Sequence, residues 1–407
     1  MQIIVLYDNT ERGAFMSNDF QGQLPQPRAE NTDRMYYLDN LRAFVIVMVV
    51  IMHTSIGYMA KPPEWWYVID IKNNVLFDLL VMVVDVFIMP IMFFVAGYFA
   101  LPVLIKKGTA GFWHSKFSRI VVPWVVGVLF FAPLITYSIP FSRMATPPSY
   151  MSFWAVFFQP AIFNHAQYWF LGVLAWFFVL LTAVYHFSPS SCQRKTSPSS
   201  PSIGTFLFIS LVPAIAYFIA NLYFQSDDWA SVAYVAHIQP TRIGFYLCYF
   251  GLGVHAWRNL WLTKDGYNPE FGRWFFASVV MLTIFIAYRI TFSDTTPLFK
   301  AGHALVHSCF NLAATFGFIV LFRDFFNSGA YLWRRFSANS YTIYYIHHFI
   351  LLPMAYLVQK IEAPVWIKFI SVSTLAVVFC YLVSEYIIGR VIEMSRKKPA
   401  QIPEHSS

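Results

Sequence analysis

A histidine and an arginine in the first long apolar stretch have the spacing of a functional pair. Arg42 and His53 are eleven residues apart in YLDNLRAFVIVMVVIMHTS. At about 100° per residue the two side chains share one helix face and lie about 16 Å apart along its axis. An ionisable side chain in a long apolar helix is costly to bury and marks a functional site by default. The alternative is that Arg42 anchors the helix end and His53 bonds a neighbouring carbonyl group.

Two further cations stand where another apolar stretch begins. Lys116 and Arg119 are spaced i,i+3, so they lie on one helix face, at the same expected level as Arg42. Three cations at one lip can together hold the phosphates of a donor molecule. Each of them alone is explained more simply as an anchor for lipid headgroups.

Other titratable side chains fall within the remaining apolar stretches. His347 and His348 are adjacent in NSYTIYYIHHFILLP, so we expect one ring to point away from the other and to have a packing role. Asp85 lies near the middle of its stretch, where a carboxylate can orient an imidazole or stay protonated. His303 and His307 are spaced i,i+4 without a carboxylate on that helix, so we expect a polar lining there and no metal.

The composition identifies the class of protein that positions these side chains. Only 12% of the 407 residues are charged, whereas a soluble domain has roughly 25%. The sequence therefore predicts an all-α, polytopic integral membrane protein, a helical bundle whose surroundings are the lipid bilayer. Membrane topology accounts for the net charge of +8, so no nucleic-acid partner is expected. The sequence contains no C-x-x-C pair, P-loop or G-x-S-x-G motif, which argues against zinc-finger, nucleotide-hydrolysing and α/β-hydrolase chemistry.

Ten windows of the sequence are apolar over the roughly 20 residues that a membrane-spanning helix needs. With both termini inside, the expected cytoplasmic segments hold 20 of the 28 Lys and Arg residues, and 28 − 20 = 8 lie outside. An odd number of spans would destroy this asymmetry, so we predict about ten transmembrane helices with N-in and C-in topology. The predicted spans are 41–60, 75–101, 120–139, 167–187, 204–223, 241–261, 274–293, 303–326, 339–359 and 364–388.

The apolar stretches define a single membrane domain, 35–393, between two polar ends. Residues 1–34 are expected to form a disordered cytoplasmic tail, and residues 394–407 a basic cytoplasmic tail. The outer loop 140–166 is rich in aromatic residues, which favours a re-entrant or interfacial helix. The inner loop 188–202 is a Ser/Pro-rich linker without core-forming residues.

Five sequence blocks carry a resemblance to a known family. The first block of that family is an arginine, ten residues and then a histidine in the first span, and Arg42 and His53 match it. The second block is F-F-x-x-S-G-Y-F, which MFFVAGYFA resembles with Ala96 in place of the serine. KFSRIVVPW resembles R-x-x-R followed by proline, with Lys116 in place of the first arginine. YWFLGVL and NSYTIYYIHH are similar to L-W-F-L and S-x-x-I-Y-x-x-H-H. Over about 35–395 the chain thus resembles the acyltransferase-3 family, and most closely its succinyltransferases of osmoregulated periplasmic glucans.

The resemblance implies a multi-pass O-acyltransferase of the cell inner (plasma) membrane. Such an enzyme moves an acyl group from cytosolic acyl-CoA, here acetyl-CoA or succinyl-CoA, to a hydroxyl of an extracytoplasmic glycan or lipid-linked acceptor. The resemblance also implies that Arg42, Lys116 and Arg119 bind the CoA phosphates and that His53 is the general base. An acyl-imidazole intermediate on His53 is a second possibility. The implied substrate pocket contains Asp85, Trp169 and His347.

The competing hypothesis is a proton-coupled transporter or exporter. In that hypothesis Asp85, His53 and His347 form an intramembrane proton relay. It predicts substrate flux without consumption of CoA. The sequence shows no internal repeat of the kind on which many transporter folds are built, and this weighs against a transporter.

Overall fold

The computed structural model describes residues 35–292 and 296–391, and their regular secondary structure is almost entirely helical. The expected tails 1–34 and 394–407 lie outside the described residues. π-Helical turns continue some of the helices, and the bounds of the elements are as follows: α1 Tyr36–Ile56, α2 Val75–Lys116, a π-turn Phe117–Val121, α3 Val122–Val126, a π-turn Gly127–Phe131, α4 Ala132–Thr136, α5 Ser138–Arg143, α6 Tyr150–Phe157, α7 Trp169–Phe187, α8 Ile203–Asn221, β1 Ala230–Val232, β2 Ala236–Ile238, α9 Ile243–Arg258, α10 Phe271–Thr291, α11 Pro297–Phe325, α12 Tyr331–Gln359, α13 Val365–Leu382 and a π-turn Val383–Ile388.

Eight stretches of the described chain are long and apolar enough to cross a membrane. A polytopic, helical membrane protein is thereby confirmed. One stretch, Val75–Arg143, has 69 residues and contains two of the predicted spans. A straight helix of that length would measure about 100 Å, far more than the roughly 30 Å of a bilayer core. Its backbone is interrupted at Gly108, whose φ of 66° lies in the left-handed region that favours glycine.

The helix α9 is the counterpart of the sixth predicted span and has only 16 residues. It runs parallel to α2, because Asp85 pairs with Arg242 at one end and the Tyr98 hydroxyl donates to the carbonyl of Trp261 at the other. Parallel helices require an odd number of crossings between them in the sequence. The helices α7 and α8 account for two of these crossings. The third crossing must then be the part of Val75–Arg143 that follows α2. The helix directions thus agree with ten crossings, while that number and the N-in and C-in orientation stay predictions.

Glycines allow α2 and α9 to cross in direct backbone contact. A Cβ atom added at Gly97 would lie 2.1 Å from the carbonyl oxygen of Phe250. A Cβ atom added at Gly253 would lie 2.1 Å from the carbonyl oxygen of Phe94. Small residues at a helix crossing let the backbones approach in this way. The close crossing fixes the separation of the two helices that carry Asp85 and Arg242.

The inner loop 188–202 is packed against the end of α9. The expectation of a linker without core-forming residues is wrong, because Cys192 belongs to the hydrophobic core. The Trp261 indole N–H donates to the carbonyl of Ser199 at 2.6 Å. The backbone N–H of Lys195 donates to the carbonyl of Arg258 at 2.9 Å. Cys192 at the start of the loop is buried. The serines and prolines therefore follow a defined path over the bundle.

Candidate active site

Three imidazole rings meet between the end of α1 and the middle of α12. The rings of His347 and His348 have their centroids 5.1 and 4.8 Å from that of His53. The expectation that one of the two adjacent histidines points away is wrong. Successive residues of a helix are only about 100° apart, so both rings can contact the ring of His53. Sequence reasoning missed His348 as a site residue.

Contacts at two levels show that α1 and α12 run parallel. Arg42 donates to the carbonyl of Ser337 at 3.3 Å, and eleven residues later His53 contacts His347. Arg42 and His53 thus face the same neighbouring helix. The shared helix face that the spacing predicts is present.

His53 and His347 are joined by a hydrogen bond between ring nitrogens. Nδ1 of His53 lies 2.9 Å from Nε2 of His347. The ring planes differ by only 5° and the centroids are 5.1 Å apart. Coplanar rings bonded nitrogen to nitrogen at this distance have centroids about 5 Å apart, so the bond is close to linear. The two imidazoles lie edge to edge and not face to face.

The surrounding acceptors determine which ring nitrogens carry protons. Nδ1 of His347 lies 2.6 Å from the carbonyl oxygen of Tyr344, which can only accept, so this nitrogen is a donor. Nε2 of the neutral His347 ring is therefore an acceptor, and Nδ1 of His53 donates to it. The remaining nitrogen of His53, Nε2, has no hydrogen-bond partner in the described part of the chain, so its lone pair is free.

His348 is held in a similar way by Gln167. The Gln167 amide nitrogen donates to the carbonyl of Tyr345 at 3.3 Å, so the amide oxygen faces His348. Nδ1 of His348 donates to that oxygen at 2.6 Å. Nε2 of His348 is buried and has no hydrogen-bond partner among the described residues. Its lone pair can accept a hydrogen bond from an incoming donor group.

One nitrogen from each of the three histidines lies within 4.8 Å of the others, a distance that would allow a metal ion. In a tetrahedral zinc site the ligand nitrogens are about 2.0–2.1 Å from the ion, hence about 3.3 Å from one another, and each lone pair is aimed at the metal. The facing nitrogens of His53 and His347 are instead aimed at each other. Their geometry fits a shared proton better than two ligands of one metal.

A cavity of about 1370 Å³ opens beside His53 and His348. It exceeds the roughly 300–1,000 Å³ of a typical small-molecule site, so it has room for a ligand of more than one sugar ring. Charged groups of both signs, including Asp227 and Arg289, also line it. Four tryptophans contribute to its walls, namely Trp65, Trp66, Trp169 and Trp229.

The hairpin of β1 and β2 covers one side of this cavity. The indole of Trp229 stacks on the ring of His237 with centroids 4.9 Å apart and planes 7° apart. The Tyr234 hydroxyl fastens the hairpin by donating to the carbonyl of Phe158 at 3.0 Å. Burial, together with the neighbouring His165, lowers the pKa of His237 to about 3, so that ring is neutral in its closed position.

The carboxylate of Asp85 does not orient an imidazole. It pairs with Arg242, whose other terminal nitrogen contacts Asp227 at 2.8 Å. Asp85 and Trp169 nevertheless line a second, smaller cavity together with His53. His347 lies behind His53 and is buried. The assignment of Asp85, Trp169 and His347 to a substrate pocket stays a prediction.

The three predicted donor-binding cations lie on two different helix pairs. Arg42 is buried against α12 and pairs with Asp39 at 3.3 Å. Asp39 lies in the first turn of α1, which starts at Tyr36. The Lys116 ammonium lies 4.5 Å from the ring centre of Phe178 on α7, and the half-buried Arg119 follows in the adjoining π-turn. Binding of a donor by these cations stays a prediction.

Comparison with known proteins identifies one family. A family model described as an acyltransferase domain matches residues 35–385. The match contains the three histidines, Gln167 and the predicted donor-binding cations. No curated protein and no solved structure matches the chain.

Proposed function

Because the chain belongs to the acyltransferase-3 family and is a membrane acyltransferase, we propose that its donor is acyl-CoA and its acceptor a hydroxyl of an extracytoplasmic glycan or related cell-envelope molecule. The observation that carries this proposal is the free lone pair on Nε2 of His53. A hydrogen bond to His347 orients this ring at the wall of a large cavity. We place the reaction in the cell inner membrane, with acetyl-CoA or succinyl-CoA as donor.

The proposed reaction is a direct transfer with His53 as general base. The acceptor hydroxyl gives its proton to Nε2 of His53 while its oxygen attacks the thioester carbonyl carbon. The new C–O bond forms, the C–S bond breaks, and the departing CoA thiolate takes the proton back from His53. The products are an ester and free CoA. In the alternative mechanism His53 itself attacks the thioester and forms an acyl-imidazole. Experiment must distinguish this mechanism from direct transfer.

His347 is the positioning residue in this mechanism. Its Nε2 accepts the Nδ1–H bond of His53 at 2.9 Å and so keeps the lone pair of His53 on the opposite, cavity side of the ring. When His53 takes a proton, the same bond becomes charge-assisted and strengthens. The 2.6 Å bond from His347 to the carbonyl of Tyr344 keeps this ring from turning.

His348 supports the choice of a polyhydroxylated acceptor. Its free Nε2 and the proposed base lie in rings 4.8 Å apart that line the same cavity. A sugar can offer two adjacent hydroxyls, one to be acylated at His53 and one to donate to His348. The apolar faces of a sugar ring also pack well on indoles such as Trp66 and Trp229.

The donor is proposed to reach His53 from the level of Arg42. The eleven intervening residues rise about 16 Å along α1, a length that an extended pantetheine arm can follow. Arg42, Lys116 and Arg119 would hold the CoA phosphates by charge-assisted hydrogen bonds. In that event a phosphate competes with Asp39 for the Arg42 guanidinium.

The contacts of Asp85 count against the transporter hypothesis. A relay through Asp85, His53 and His347 needs the carboxylate to exchange protons with an imidazole. The carboxylate instead pairs with Arg242, and no imidazole contacts it among the described residues. Of the proposed relay, only the contact between His53 and His347 is present among the described residues.

Binding of acetyl-CoA and succinyl-CoA to the detergent-purified protein, measured by calorimetry, tests the donor. We expect micromolar binding that Arg42→Ala weakens at least tenfold, with Arg42→Lys intermediate. Arg273→Ala is the matched control, because Arg273 is exposed and pairs only with the exposed Glu270 among the contacts described. His53→Ala should retain donor binding and lose transfer. A folded sample that binds neither ester would refute an acyl-CoA donor.

A further inference from the structure

A second cavity of about 230 Å³ also reaches His53. It lies between α1, α2 and the first turns of α7 and α9, and most of its wall is apolar. Val49 and Met52 line it from α1, Met89 from α2 and Phe170 from α7. His53 therefore stands where this small apolar cavity and the large polar cavity come together.

The acceptor, the CoA arm and the acyl group of the proposed reaction need different surroundings. The acceptor requires polar partners, which the large cavity provides, and the CoA arm approaches from the level of Arg42. The acyl group extends beyond the thioester carbonyl at His53 and needs an apolar space that excludes water. The small cavity offers mostly apolar walls, and apolar groups are stabilised by apolar surroundings.

The charges of the small cavity disfavour an anionic acyl group. The carboxylates of Asp85 and Asp227 both lie in its wall. They share one cation, since Arg242 pairs with both through its two terminal nitrogens. Two carboxylates thus depend on a single guanidinium at this wall. Lys61 also contributes to the lining, and it is exposed.

We propose that this small cavity is the acyl-group pocket and that it selects a neutral, short acyl chain over a dicarboxylic one such as succinyl. The inference rests on the proposed acyl-CoA donor. At about 30 Å³ per water-sized group, the volume accommodates about seven or eight such groups. A chain the length of butyryl fits, and one the length of palmitoyl does not.

A panel of CoA esters tests the pocket without knowledge of the acceptor. The dissociation constants of free CoA and of acetyl-, butyryl-, hexanoyl-, palmitoyl- and succinyl-CoA are measured with the full-length, detergent-purified protein. From acetyl to hexanoyl we expect the affinity to rise by up to fourfold for each buried methylene, and palmitoyl-CoA to gain nothing further. Butyryl and succinyl match in chain length and differ by the terminal carboxylate, so the comparison isolates charge. We expect butyryl-CoA to bind at least tenfold more tightly than succinyl-CoA.

A pair of variants ties the chain-length preference to this cavity. Met89→Ala enlarges the small cavity and should move the tightest binding to a longer chain. Ile162→Ala is the matched control, because Ile162 lines only the large cavity of the two and should leave the preference unchanged.

The outcomes separate the pocket from the donor class. Binding of free CoA with no dependence on the acyl chain, or tighter binding of succinyl-CoA than of butyryl-CoA, overturns the pocket and leaves the donor class intact. A shift of chain preference by Ile162→Ala and not by Met89→Ala also overturns it. Absence of binding by CoA and all its esters overturns both proposals.

Discussion

Replacement of His347 by phenylalanine tests whether one hydrogen bond sets the proposed catalytic tautomer. The variant keeps an aromatic ring in the buried position and removes the Nε2 acceptor that lies 2.9 Å from Nδ1 of His53. The hydrogen bond to a group that becomes charged is worth about 1.5–3 kcal/mol. We therefore expect kcat to fall about 10- to 150-fold, with the KM for the acyl-CoA donor unchanged, because the bond strengthens only when His53 takes the proton.

The assay is transfer of a radiolabelled acyl group from acyl-CoA into the envelope glycans of membrane vesicles. His347→Gln should recover part of the loss, because its amide oxygen can accept the same Nδ1–H bond. His303→Phe serves as the matched control, since His303 is buried among aromatic rings of another helix pair. A folded His347→Phe variant with kcat within twofold of the original chain would refute the positioning role. So would a change confined to the donor KM.

The remaining predictions concern the acceptor, the bundle and the hairpin. His348→Phe should raise the KM for the acceptor about 2- to 13-fold while leaving donor binding unchanged, because one neutral hydrogen bond of about 0.5–1.5 kcal/mol is lost; an unchanged acceptor KM in the vesicle assay would contradict this. Gly253→Val should lower the thermal unfolding temperature in detergent, since its Cβ would lie 2.1 Å from a carbonyl oxygen, whereas Gly251→Val, with open space at that position, should not. The hairpin should open as the pH falls below about 6.5, because His237 titrates near 6.5 when released but has a pKa of about 3 when closed; opening then takes up a proton and is favoured about tenfold more for each pH unit between these values. Fluorescence of Trp229 reports the opening, and a profile that stays the same in His237→Phe would argue against this cause.

Local periodicity was enough to predict the first part of the site. Arg42 and His53 share a helix face because a spacing of eleven residues is close to three full turns, and both contact α12. The apolar windows likewise predict most of the helices, because the cost of an unpaired backbone in lipid leaves few alternatives. Boundaries were less accurate, and α12 begins at Tyr331 instead of near 339.

The rest of the site depends on contacts between distant parts of the sequence. Gln167 is the first residue of the predicted fourth span and belongs to no visible motif. Its role follows from a contact with His348, 181 residues later. For Asp85 the sequence allows a carboxylate that orients an imidazole or one that stays protonated, and the side chain pairs with Arg242, 157 residues away. A polar residue at the first turn of an apolar stretch was the only signal available for Gln167. Neither partner can be deduced from helical periodicity, which determines a face but not the helix that it meets.

The direction of the hydrogen bonds among the histidines distinguishes an enzyme site from a proton pathway. His53 donates from Nδ1 to His347, and His347 donates from Nδ1 to the carbonyl of Tyr344. A backbone carbonyl does not accept a proton at neutral pH, so His347 has no onward acceptor among the described residues. A proton that enters at Nε2 of His53 must therefore leave again on the same side. That return fits the proposed acyl transfer, in which the proton removed from the acceptor hydroxyl is given to the departing thiolate. A transporter must instead release the proton on the other side of the membrane.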